Sequence, residues 1–173
     1  LILLPYVAAV FRTGSMSGTE EPAHQAGVED LVAEILPAQM PVSYEEEALK
    51  AQAVIVRTNL LRQAMSFYGS GTAAEAASAV RESDLEALGF TFYPREEQIR
   101  LWGYDSWEQY AEKCGKAAES TAGQVLVTEA AEEEGTLPDL PYHAVSAGRT
   151  RGGSLLGEDY SWLESAECPD DLQ

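Results

Sequence analysis

The chain has 173 residues, of which 45% are hydrophobic, enough to bury one core, so one domain with appendages is the natural count. Against 29 acidic residues stand 11 basic ones, a formal net charge of −18. That excess argues against nucleic acid and against an anionic membrane surface as partners, and it is compatible with a neutral polymer such as a glycan.

LILLPYVAAVF, residues 1–11, is apolar until Arg12. It is shorter than the roughly twenty residues a membrane helix needs. It reads as the remnant of a membrane anchor or as a leading β-strand entered at Pro5, and residues 1–12 are set apart as an apolar leader. Residues 13–27, rich in Gly, Ser and polar side chains, read as a linker. The remaining stretch, 28–173, is the domain.

A short acidic helix is expected over residues 28–36, running up to Pro37. The next helix begins after Pro41: Ser43 and Glu46 have the spacing of a capping box, and Gly69 to Gly71 stop the helix after about Phe67. Within it Leu49, Ala53, Val56 and Leu60 recur at helical spacing as one apolar stripe. Lys50, Val54, Arg57 and Leu61 form the neighbouring stripe. Glu46 and Lys50 are placed to pair, and the alanines at 48, 51 and 53 allow another element to approach closely. Arg57 in this apolar run either contacts a ligand or, if buried, needs a specific partner.

Residues 73–88 hold Ala-rich helical stretches, and residues 93–121 read as two helices broken at Gly103. A strand is expected over 123–128, an acidic solvated loop over 129–135, and another strand before His143. The class expected is α+β: a helix-rich single domain with a small sheet and no internal repeat. After it comes PYHAVSAGRT, where Tyr142, His143, Ser146, Gly148 and Thr150 are followed by Gly152 and Gly153. Small residues there allow close backbone approach to a ligand, although a lone His143 would read as a loop histidine. Tyr142 and Trp162 can stack on sugar rings or fill core. Cys114 and Cys168 permit one disulfide or two plain thiols. No phosphate-cradling Gly loop, His-Glu-x-x-His or Cys-x-x-Cys is present, and neither metal nor cofactor is expected.

The run GVEDLVAEILPAQMPVSYEEEALKAQAVIVRTNLLR, residues 27–62, resembles the signature of the stage II sporulation protein D family, which also includes the amidase enhancer of vegetative cell-wall hydrolysis. The order agrees: an acidic short helix, Met40-Pro41, EALKAQAV, then Arg57-Thr58. TAGQVL, PYHAVSAGRT and YSWLESAECP are similar to later family segments, so the resemblance covers roughly residues 27–170. It implies a SpoIID-like fold and an extracytoplasmic protein anchored at its N-terminus. It also implies the activity of a lytic transglycosylase cutting peptidoglycan glycan strands in sporulation, beside a cell-wall amidase and membrane sporulation proteins.

In such enzymes one glutamic acid protonates the glycosidic oxygen. As carboxylate it then takes the proton of the sugar's own 6-hydroxyl, closing an anhydro ring without water. This differs from the two-carboxylate scheme of ordinary glycosidases. The family's acid stands immediately before Met-Pro, where this chain has Gln39, an amide with no proton to give. The resemblance thus assigns Gln39 to the catalytic position, and Lys50, Arg57, Tyr142, His143, Ser146, Gly148 and Thr150 to saccharide binding. Whether the chain is an enzyme turns on Gln39; the alternative is a non-catalytic amidase enhancer or recruiting partner. Glu34 and Glu45 to Glu47 are other carboxylates near the position, but the latter three already have a reason to sit at a helix N-terminus. A substitute acid would also need an apolar pocket to raise its pKa. Some family members carry a Cys/His zinc cluster before the later strand; here that region has Cys114 and no histidine.

Overall fold

The computed structural model describes residues 7–9, 27–128, 136–142 and 147–169, with backbone alone at 7–9 and 159. Most of the apolar leader, the linker, the acidic loop at 129–135, and His143 and Ser146 lie outside the described residues. Among the described residues five helices carry the fold: α1 (Val28–Gln39), α2 (Glu46–Tyr68), α3 (Ala73–Ala79), α4 (Arg95–Trp102) and α5 (Tyr104–Ser120). Two three-residue strands, β1 (Val7–Ala9) and β2 (Gln124–Leu126), pair antiparallel with Val7 opposite Leu126. The helix-rich character expected from the sequence is what the chain shows. The described β structure, however, is too small to supply a sheet layer, and residues 136–142 form no strand, so the expected α+β class is not established.

Helix α1 starts where Asp30 accepts the Gly27 amide at 2.8 Å. It does not stop at Pro37 as expected. Proline's missing amide removes one bond in the last turn, yet the Met40 amide still reaches Leu36 O at 3.0 Å and the helix continues to Gln39. The predicted capping box at Ser43 does not form. Tyr44 donates its amide to Pro41 O in a tight turn, and α2 begins three residues later than Ser43, after an N-cap Glu45 that has no side-chain cap bond. The far end follows the expectation: Gly69 takes φ 65°, the left-handed conformation that stops a helix. Gly103 at φ 75° likewise separates α4 from α5.

The core lies where α1, α2 and α5 meet. Leu31, Val32, Ile35 and Leu36 pack with Leu49, Ala53, Val56 and Leu60, the stripe read from spacing, and with Cys114, Ala117 and Ala118 of α5. Each fully buried Leu, Ile or Val contributes about 1.5–3 kcal/mol. Small side chains at 53, 117 and 118 let the helix axes approach closely. Val80, Leu85 and Leu88 close the core from the segment after α3. A smaller cluster of Leu61, Val125 and Leu137 seats β2 on α2.

Both cysteines are free; Cys114 is buried, and burial pushes its thiol up to about 11. A thiol reagent applied to the native protein is expected to label Cys168 and spare Cys114, with both labelled after denaturation; equal labelling in the native state would contradict this packing. Among the described residues no helix is long and apolar enough to cross a membrane.

Candidate functional site at the end of the first helix

Gln39 is the last residue of α1, and the chain leaves it through Met40 in extended conformation. Met40 and Val42 are buried and pin the following turn to the core, while Pro41, Ser43 and Tyr44 face solvent. Lys113 of α5 holds the turn from the other side, donating from Nζ to Val42 O at 2.8 Å and to Tyr44 O. The Gln39 side chain is fixed from α2: Gln52, only 2% exposed, donates from Nε2 to Gln39 Oε1 at 2.8 Å.

The segment carrying Tyr142 is held by α2 as well. Asn59 brackets Leu140, its amide nitrogen donating to Leu140 O and its oxygen accepting from Leu140 N, both at 2.9 Å. Two residues on, Tyr142 is solvent-facing, and burial raises its phenol above the ordinary range with a smaller contribution from Tyr44. Two exposed tyrosines from distant parts of the sequence, Tyr44 in this turn and Tyr142, therefore lie near one another.

The remaining sequence candidates are placed otherwise. Arg57, expected above as a saccharide contact, is a correction: it is 1% exposed and spent on structure. Its Nε donates to both Glu29 carboxylate oxygens at 3.1 Å, and Nη2 also pairs with Glu29. Nη1 donates to Gln124 O at 3.1 Å and Nη2 to Ala118 O at 2.9 Å. A buried guanidinium is tolerated because these acceptors replace water, including a carbonyl in the last turn of α5. Glu29 also accepts the Gly123 amide at 3.2 Å, and the neighbouring Thr58 accepts the Leu126 amide at 3.0 Å. The Arg-Thr pair is thus the device that docks β2.

Lys50 is occupied by Glu46 and Glu47 at 2.7 and 2.8 Å, and these partners raise its pKa. Gly148 and Thr150 lie in a short ladder rather than beside Gln39. Gly148 O accepts from Cys168 N at 2.8 Å, and the Thr150 hydroxyl accepts from Ala166 N at 2.7 Å. The close approach permitted by Gly153 is to the chain itself, since an added Cβ would sit 2.0 Å from Tyr160 O. Trp162 belongs to this terminal segment.

Glu34 meets half of the requirement for a substitute acid. Its Oε2 is buried with no partner among the described residues, and its pKa is raised to about 7 by burial first, then by Glu82 and Asp30. Its position is wrong. Five residues from Gln39 on an α-helix is roughly 140° around the axis; Gln39 is bonded to Gln52 of α2, whereas the Glu34 carboxyl feels Glu82 and Asp30. The shift has a consequence for stability. The folded state holds the proton more tightly than the unfolded chain, whose carboxyl titrates near 4.5, so Glu34 supports the fold below that pH and its contribution is lost as pH rises through about 7. Glu34→Gln is expected to flatten the decline between these values and to stabilise the protein at pH 8. Denaturant titrations at pH 5 and 8 check it, and an unchanged slope would contradict the assignment.

Gln52, Asn59, Lys113 and Glu29 were not singled out from the sequence. Only Gln52 left a signal there: a polar residue at helical spacing between Leu49 and Val56 on an otherwise apolar face must find a partner.

Comparison with known proteins matches residues 17–127 to the family model described as "Stage II sporulation protein". The chain is 30% identical over 128 residues to Stage II sporulation protein D of Bacillus amyloliquefaciens, covering 72% of this chain and 33% of that protein. It is also 30% identical over 123 residues to Stage II sporulation protein D of Bacillus subtilis (strain 168), covering 70% and 32%. The chain spans about a third of the length of the curated relatives it matches. The family match ends before Tyr142.

Proposed function

This chain belongs to the stage II sporulation protein family, and from that premise we propose that it binds peptidoglycan glycan strands at the end of α1, through a lytic transglycosylase-type site whose acid position holds an amide. The observation that carries the proposal is the side chain of Gln39, fixed by a buried glutamine beside a turn that holds the exposed Tyr44, with Tyr142 near that tyrosine. Two solvent-facing aromatic rings suit the apolar faces of sugar rings while their hydroxyls remain available for hydrogen bonds. Gln39 keeps the size and bonding capacity of glutamate but cannot act as general acid. The unmodified chain therefore holds glycan without efficient cleavage. His143 and Ser146, one and four residues beyond Tyr142, complete the saccharide contacts in this proposal; Arg57 does not take part.

The test is co-sedimentation with peptide-free glycan strands. Tyr142→Ala and Tyr44→Ala are each expected to weaken binding severalfold with circular dichroism unchanged; parental affinity in both variants overturns the proposed surface.

The amide at position 39 also favours a second reading, that of a non-catalytic enhancer or recruiter of a cell-wall amidase. Stimulation of an amidase by a chain that binds strands and leaves them uncut supports it. Both readings locate the protein outside the cytoplasm, with an N-terminal anchor and membrane sporulation proteins as neighbours.

A further inference from the structure

We infer that Gln52 is the positioning residue for Gln39, and that its contact makes the site present a hydrogen-bond donor, Gln39 Nε2, to an acceptor oxygen of an N-acetylated glycan. The inference rests on reading position 39 as glycan-facing.

Gln52 sits in the apolar stripe of α2 and is almost fully buried, so its amide must be satisfied within the protein. Its Nε2 donates to Gln39 Oε1 at 2.8 Å, across 13 residues of sequence and between two helices. In this arrangement the Gln39 oxygen is the atom turned to Gln52. If Gln39 alone turned over, its NH₂ would face the Gln52 NH₂, leaving a buried donor without an acceptor; the reverse pairing requires both amides to turn together. As placed, the oxygen faces inward. Gln39 is half-buried, and among the described residues no partner is recorded for its Nε2, so the group turned toward the open side is a donor.

A protonated carboxylic acid in the same place would also offer a donor. The amide thus imitates the acid before proton transfer, holding a glycosidic or N-acetyl oxygen without the step that follows. The ligand class is a hydrogen-bond acceptor, which the carbonyl and ether oxygens of a glycan strand supply.

The contact can be read without any activity. With a carboxylate introduced by Gln39→Glu, the Gln52 N–H would stabilise the ionised form and lower its pKa. Charged groups at this end of the helices include Lys113 on the turn and Lys50 with Glu46 and Glu47. A pair of proteins differing only at position 52 holds these constant. Carbon-13 NMR titration of Gln39→Glu alone and combined with Gln52→Leu is expected to show the introduced carboxyl titrating at higher pH in the double variant. Gln52→Met, unbranched and close in volume, serves if the leucine variant does not fold.

In the parent background Gln52→Leu is expected to weaken binding of peptide-free glycan strands about three- to tenfold with an unchanged melting curve, the scale of one neutral hydrogen bond. Identical titration of the carboxyl with and without Gln52 overturns the positioning role. A parent chain that fails to bind strands overturns the donor's assignment to glycan, and the titration still decides the Gln52 contact separately.

Discussion

Arg57→Ala is expected to destabilise the protein by about 3 kcal/mol, because it removes a buried guanidinium that bonds a partly exposed carboxylate and two carbonyls, each charged hydrogen bond being worth about 1.5–3 kcal/mol. Glu29 would lose its bidentate partner, and Gln124 O and Ala118 O would each lose a charged donor. The loss spreads across α1, α2, the end of α5 and β2, all of which meet at this guanidinium. Lysine is a poor substitute, since one ammonium cannot supply the forked geometry that reaches a carboxylate and two carbonyls together. Lys50→Ala is the contrasting control. Its ammonium pairs locally with Glu46 and Glu47 at the surface, and stability should barely change. Denaturant unfolding of the three proteins checks both statements. A parental midpoint for Arg57→Ala would show that the network is dispensable and would reopen a ligand role for Arg57.

The second large effect is a gain. Gln39→Glu restores a group able to protonate a glycosidic oxygen at the position the family resemblance assigns to its acid. A positioned general acid is worth about a hundred- to ten-thousand-fold in rate. The expected rise in lytic transglycosylase activity is about a hundredfold or more, with 1,6-anhydro ends as product, since attack by water would leave a reducing sugar instead. Gln52 would hold the new carboxyl as it holds the amide. Absence of any anhydro product from a folded, strand-binding Gln39→Glu protein would remove position 39 from the chemistry.

Much of the helical frame is legible in the sequence. Leu49, Ala53, Val56 and Leu60 announce a buried face by spacing alone, and Gly69 and Gly103 stop helices because they alone accept positive φ there without strain. Errors arose where distant partners overrule local preference. Ser43 had the neighbours of a helix cap, but the turn closing from Tyr44 to Pro41, together with Lys113 seventy residues on, takes that segment out of the helix. Pro37 should have ended α1, yet the Leu36 and Met40 side chains are buried and the Met40 amide bridges the gap.

The site was less legible than the frame. Gln39 was found through family resemblance, whereas its supports, Lys113 and Asn59, act on backbone groups of segments far along the chain and leave no pattern in sequence. For Arg57 the composition of its surroundings allowed two roles, and the acid that decides between them, Glu29, lies 28 residues earlier.

The most direct test of the account is incubation of the unmodified chain with peptide-free glycan strands, followed by separation of bound strands and mass-spectrometric inspection of their ends. The account predicts that strands are retained and that anhydro ends do not accumulate above a protein-free control. Abundant anhydro ends made by the unmodified chain, undiminished by Gln39→Ala, would contradict it.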